Sequence, residues 1–300
     1  MTFGFDPHFV TNLGRDVSAS AYAEQKLTAQ LSSGLRVGTL SDDPMAAAQN
    51  VGLASSISQT DAFVQTATRE SSLLQVTDTT LGDVLTQVNS ALSLAAQAAN
   101  GTLSASHRFM LGEQVAGVRD TLVSLANTSY LGQYLFSGSN GMTKPFSLDH
   151  TTSPSTVIYA GDALTQSVTT LSGEKIQANV PGQDVFSRPG ADLLGALNQI
   201  ISDLSGVTQG SLPDDTAALT AAVANVAEQR ARLGSSAKQL DAASSAANSN
   251  GLQARVSQST LLAADPAVVA TDLKSAEVQH QALLSVIAGL SRTNLFDYLK

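Results

Sequence analysis

The stretch that decides the fold is SSGLRVGTLSDDPMAA, residues 32–47. A helical pattern runs into it and another runs out of it. Gly34 can take the left-handed conformation that ends a helix. Asp43 can accept backbone N–H bonds as the cap of the next helix. Pro44 then fits the first helical position, where a missing N–H costs nothing. The segment reads as a fixed joint between two helices.

Upstream of the joint, Val10, Leu13, Val17, Leu27 and Leu31 recur at spacings of three and four, with Ser20 and Glu24 at two expected positions. So thin a stripe buries little alone, and the first helix is expected to order against partners. Downstream, Leu74, Leu81, Leu85, Val88, Leu92, Ala95 and Ala99 form a heptad seam, with Asp78 its one polar interruption. A helix continuous from Pro44 to Ala99 would be roughly 80 Å long. The weaker pattern over 58–72 leaves room for a break.

A turn at 100–107 follows, where Ser104 or Ser106 can cap a third helix carrying Leu111, Val115, Val118, Leu122 and Leu125. From 137 to 190, Gly, Pro, Ser and Thr concentrate and helical periodicity stops. STVIYAG (155–161) and SVTTLSGEKIQANV (167–180) alternate as strands do, with a hairpin signal at Ser172–Gly173. Helix resumes at Asp192 with Leu193, Leu197, Ile200 and Leu204. SGVTQGSLPDD (205–215) breaks it, and Asp214 and Asp215 are placed to cap the next helix. That helix carries Leu219, Val223, Val226, Leu233, Ala237 and Leu240, with Arg230 inside the stripe. The last carries Val269, Leu273, Ala276, His280, Leu283, Ile287 and Leu290. The order helices, strands, helices means that the chain goes out and comes back.

Composition excludes several classes of function. Of 300 residues, 43 % are hydrophobic but only 5 % aromatic, so the apolar content is mostly Ala, Leu and Val, which suits thin helical packing. Charged residues are 14 % and the net charge is −9, with no basic stripe, so neither nucleic acid nor an anionic membrane is an expected partner. There is no cysteine, hence no disulfide and no thiolate site. The start has no basic and apolar segments of a secretory signal. His8, His107, His150 and His280 have no second ligand at metal spacing, and the nucleotide, hydrolase and zinc-protease motifs are absent. No catalysis and no cofactor are expected.

The residues also carry a family resemblance. LSSGLRVGTLSDDPMAAA (31–48) resembles the N-terminal signature of the flagellin superfamily, with DDP where filament flagellins have DDAAG. SLANTSYLGQYLFSGS (124–139), YAGD (159–162), GQDVF (182–186) and IAGLSRTNLFDYL (287–299) resemble the hook-associated branch found at the hook–filament junction. The alternative is a filament flagellin. The resemblance covers 10–140 and 215–300.

It implies a mainly α fold with a small β insertion: an elongated antiparallel helical bundle or coiled coil of N- and C-terminal segments around a central β-rich domain. Residues 1–40 and 257–300 would form an inner coiled-coil layer, 41–136 and 191–256 a helical rod, and 137–190 an outer β domain. It further implies export by the flagellar type III apparatus without a cleaved signal, and a structural ring at the hook tip. The implied partners are further copies of the chain, a hook-associated neighbour on the hook side, flagellin or the filament side of the junction distally, and a cytoplasmic chaperone on the C-terminal helix. The expected interface residues are Leu13, Leu27, Leu31, Arg36, Asp42, Asp43, Asn127, Tyr134, Phe136, Leu273, Leu283, Ile287, Leu290, Leu295 and Phe296.

Overall fold

The structure, a computed structural model, describes residues 7–99, 103–208 and 210–297, and side chains from 11 to 289 within these. The order is α1 (Pro7–Ser33), α2 (Pro44–Ala98), α3 (Ala105–Ala126), β1 (Ser129–Tyr130), β2 (Gln133–Tyr134), β3 (Phe146–Asp149), β4 (Thr156–Tyr159), β5 (Ser167–Thr169), β6 (Lys175–Gln177), α4 (Gly182–Phe186), α5 (Leu193–Leu204), α6 (Leu212–Leu262) and α7 (Pro266–Asp297). The chain forms two compact units: Met1–Gln59 with Gly251–Lys300, and Thr60–Asn250.

The Thr60–Asn250 unit holds the core. Along α2 the seam of buried positions is Leu74, Thr77, Leu81, Val84, Val88, Ala91, Ala95 and Ala98, with Thr80 buried beside it. Their spacing alternates three and four, the pattern of a helix seam. The centre of this seam differs from the expected one, because Leu85 and Leu92 lie on its flank and are half-buried. Smaller residues such as Val84 and Ala91 take the centre, and these leucines lie beside it. Thr77 is tolerated in the seam because its hydroxyl donates to Leu73 O at 2.8 Å. The stretch 58–72 is unbroken helix. Thr60, Phe63 and Ala67 are buried there and carry the seam back at the same spacing.

On α6 the matching seam is Leu219, Ala222, Val226, Gln229, Leu233, Leu240 and Ala247. Two polar residues that interrupt the expected stripes find each other. Arg230 donates from Nε to Asp78 Oδ1 at 2.7 Å and from Nη2 to Oδ2 at 3.1 Å. Ser71 donates to Asp241 at 2.9 Å. Lower numbers on α2 face higher numbers on α6, so within this unit the two helices run antiparallel. The fork geometry of the Arg–Asp pair fixes their register.

Helix α3 packs on α5, where Gly112 meets Leu204. Ser104 caps α3 by accepting from His107 N, and Asp192 caps α5 by accepting from Gly195 N at 2.8 Å. The β segment consists of three two-stranded antiparallel pairs, β1–β2, β3–β4 and β5–β6. It shares one core with the helices: Phe136, Phe146, Ile176 and Phe186 belong to the same buried cluster as Leu122 and Leu197.

One expected cap is corrected. Helix α6 begins at Leu212, so Asp214 and Asp215 lie in its first turn. Their N–H groups donate to Ser211 O at 2.8 and 3.0 Å. Leu212 is buried and Pro213 needs no N–H partner, and together they start the helix early.

Leu81→Ala and Leu233→Ala should each destabilise the chain by about 2–5 kcal/mol, since both side chains are buried in the seam. Leu85→Ala on the flank should lose clearly less. Urea unfolding followed by circular dichroism compares the three, and equal losses would contradict the seam drawn here.

Candidate functional site

Two helix restarts meet in the first unit. Gly34 ends α1 with φ of +70°, and its N–H donates to Gln30 O at 2.8 Å. Asp43 starts α2 by accepting from Ala46 N at 3.0 Å, with Pro44 the first helical residue. The second restart lies between α6 and α7. There Asp265 accepts from Ala267 N at 2.9 Å, and Pro266 opens α7. The same Asp-Pro grammar serves both joints.

The joints are clasped by backbone. Arg36 N donates to Leu262 O at 2.7 Å, and Ala264 N donates to Gly34 O at 2.9 Å. This antiparallel bridge pairs Leu35 with Ala263. The Arg36 side chain crosses the clasp, donating from Nη1 to Asp43 Oδ2 at 3.2 Å and from Nη2 to Leu261 O at 3.3 Å. A guanidinium on the last carbonyls of α6 also meets the negative end of that helix.

Asp42 is the hub of the first joint. Its Oδ1 pairs with Lys26 Nζ at 2.8 Å. Its Oδ2 accepts from Gly38 N at 3.0 Å, Thr39 N at 2.8 Å and the Thr39 hydroxyl at 3.0 Å. Lys26 and then these donors hold the Asp42 carboxyl well below the usual carboxylate range. The Ala46 amide, then Arg36, lower Asp43 as well. Asp42 in turn raises Lys26.

The motifs around the β segment converge in the second unit. The Tyr159 hydroxyl lies 3.1 Å from Phe136 O and 2.8 Å from Asp162 O, and Gly182 N donates to Phe136 O at 2.8 Å. So YLFSG, YAGD and GQDVF are three segments of one knot. The Phe136 and Phe146 rings each meet Phe186 edge-on, with centroids 5.2 Å apart. Such pairs add about 0.5–1.5 kcal/mol each beyond burial. Asp162 accepts from Ser139 N at 2.8 Å and Leu164 N at 3.0 Å, and the Ser139 hydroxyl is first among the donors that depress its pKa.

Two expected interface residues are used up inside this knot. Phe136 is fully buried, and Asn127 bonds Val123 O, Phe146 O and Phe146 N at 2.9 Å each. Aromatic burial and backbone satisfaction claim both side chains. Tyr134 on β2 is half-buried.

Arg36, Asp42 and Asp43 come together in the joint. Leu13, Leu27, Leu273, Leu283 and Ile287 are half-buried on α1 and α7, which pack on each other, and Leu31 is 43 % exposed. The chain itself therefore supplies α1 with a first partner. The Leu290, Leu295 and Phe296 side chains lie outside the described residues. Asp265 and the clasp carbonyls were not singled out by periodicity; the signal was ADP at 264–266, a second copy of the DDP start. Among the described residues no cluster of three His, Cys, Asp or Glu could hold a metal, and no helix is long and apolar enough to cross a membrane.

Residues 11–141 match the bacterial flagellin N-terminal helical region, and 216–299 match the bacterial flagellin C-terminal helical region. Flagellar hook-associated protein 3 of Escherichia coli (strain K12) is 26 % identical over 95 % of this chain and 96 % of its own. The protein of the same name from Salmonella typhimurium is 36 % identical over 40 % of this chain and 38 % of its own. The crystal structure of flagellar hook associated protein-3 from Legionella pneumophila superposes with a TM-score of 0.60 at 14 % identity, over 70 % of this chain and 98 % of that one.

Because the native pairing depresses Asp42, its contribution is present above the ordinary carboxylate pKa of about 3.9 and is lost as pH falls below it. Asp42→Asn should remove that acid dependence and speed hydrogen exchange at the Gly38 and Thr39 amides at neutral pH. Unchanged exchange at both amides would contradict the hub role.

Proposed function

The chain belongs to the flagellin superfamily, and from that premise we infer that it is a structural component of the bacterial flagellum at the junction between hook and filament. The observation that carries this reading is the near end-to-end match to a hook-associated protein 3, 95 % of this chain against 96 % of that one. A filament flagellin is the less supported alternative.

The finer picture is our proposal. The chain adds as a ring at the hook tip, beside a hook-associated neighbour, and presents its other side to flagellin or the filament side of the junction. Residues 1–40 and 257–300 form its inner layer, 41–136 and 191–256 its rod, and 137–190 face outward. It leaves the cell unfolded through the type III apparatus, with a chaperone on the C-terminal helix beforehand. It performs no catalysis and needs no cofactor.

Burial supports an assembly role for the terminal helices. In the unit of Met1–Gln59 with Gly251–Lys300, the buried hydrophobics among the described side chains are Val37, Ala46 and Val269. Leu40, Met45, Val51 and Val278 are each at least 65 % exposed. Exposed apolar side chains beside so small a buried core fit contact with other chains. The interface of α1 and α7 is also polar in places: Ser20 Oγ and His280 Nδ1 are buried without a hydrogen-bond partner.

Leu283→Asp puts an unpaired charge into this thin seam, where nothing compensates it. The variant should keep the wild-type unfolding of Thr60–Asn250 and fail to restore swarming in a strain lacking the native gene. Normal swarming would contradict the assembly role of the α7 stripe.

A further inference from the structure

The α5–α6 connection holds two carboxyls that ion pairing does not explain. Asp203, at the end of α5, is 5 % exposed. Its Oδ1 is saturated by donors: the Thr208 hydroxyl, Gly210 N at 3.1 Å and Gln199 Nε2 at 3.3 Å. Its Oδ2 is buried and receives no donor. Asp215, in the first turn of α6, likewise has a buried Oδ2 with no donor. A side-chain hydrogen bond between the two carboxyls acts on the ionisation of both. The pocket is built closely around them: a Cβ on Gly210 would overlap the Asp203 carboxyl.

Two acceptor oxygens cannot hold each other without a proton between them, and two adjacent buried carboxylates repel. We propose that Asp203 and Asp215 share one proton, and that this proton is a latch fastening the first turn of α6 to the end of α5. Asp203 is the acceptor, because its other oxygen has three donors that favour the ionised form. Asp215 carries the proton. When it is lost to solvent, the pair repels and the first turn of α6 is released from the end of α5.

One further charge acts on the pair. On α6, Asp214 adds a second negative neighbour to Asp215. On α3, Arg108 lines a neighbouring cleft with Gly210, Ser211, Leu212 and Pro213, to which α2 contributes Ala98; neither Asp203 nor Asp215 lines it. Burial, then the bond to Asp203 and repulsion from Asp203 and Asp214, push the Asp215 carboxyl up to about 6. Burial opposes ionisation of Asp203 too, yet Thr208 and the other donors outweigh it and lower that group. A divalent cation between the carboxylates is the rival occupant. The donor shell on Asp203 Oδ1 leaves few ligand oxygens for one.

Between about pH 4, where an unfolded Asp titrates, and about 6, the folded chain keeps a proton that the unfolded chain has released. Stability from this site therefore falls as pH rises across that window. The test is a carboxyl-carbon NMR titration of the full chain labelled at aspartate, with Tm measured over the same pH range. Asp215 should titrate near pH 6, and in Asp203→Asn its midpoint should drop by at least about one unit. Asp215→Asn keeps a donor toward Asp203 and tests the latch without unpairing it. It should flatten this site's share of the Tm slope between pH 4 and 6. A wild-type midpoint in the ordinary range near 4 would overturn the proposal. So would calcium or magnesium shifting both carboxyl signals and raising Tm at pH 8, which would make the pair a cation site.

Discussion

Two backbone hydrogen bonds between residues 34–36 and 262–264 are the constraint on which the terminal unit depends. Each bond ties a point where one helix stops to a point where another stops. Within the terminal unit, the clasp sets both breaks opposite each other. Arg36 reinforces it by reaching the cap of α2 and the Leu261 carbonyl in the last turn of α6 at once. Asp42 then folds the intervening loop around its own carboxylate. The joint is built from short-range polar geometry because so little apolar surface is buried beside it.

That contrast between the two units bears on function. The Thr60–Asn250 unit has a continuous core of heptad seams and an aromatic knot. It can stand as a folded body. The unit with both termini buries few apolar side chains and leaves many exposed. A chain that must join a larger assembly needs both features: a part that is finished and a part whose apolar surface is completed by neighbours. The paucity of aromatics follows from the same division. Ala, Val and Leu fill the seam without aromatic bulk, and three of the aromatics that are present meet in one place, around Phe186.

Much of this was legible in the residues. Gly34, Asp43 and Pro44 specify the first joint by local rules of capping, which operate within a few residues and so survive without knowledge of the fold. The seam on α2 was legible as periodic but off centre, because Leu85 and Leu92 outrank Thr77 and Ala91 in hydrophobicity while the smaller residues take the centre. The pairing of Asp78 with Arg230 could not be read, since each looked like a defect in its own stripe and only the antiparallel register joins them. Phe136 and Asn127 belonged to quoted motifs, yet a motif does not say whether its residues face a partner or the interior. Asp214 and Asp215 show the limit of capping rules: Leu212 and Pro213 start the helix before them. The Asp203 carboxyl, twelve residues from Asp215 in sequence, gave no sign at all.

Immunogold labelling of flagellated cells with an antibody to the Thr60–Asn250 unit tests the central claim most directly. The account predicts a single cluster of label where hook meets filament. Label along the whole filament would contradict it and make the chain a flagellin.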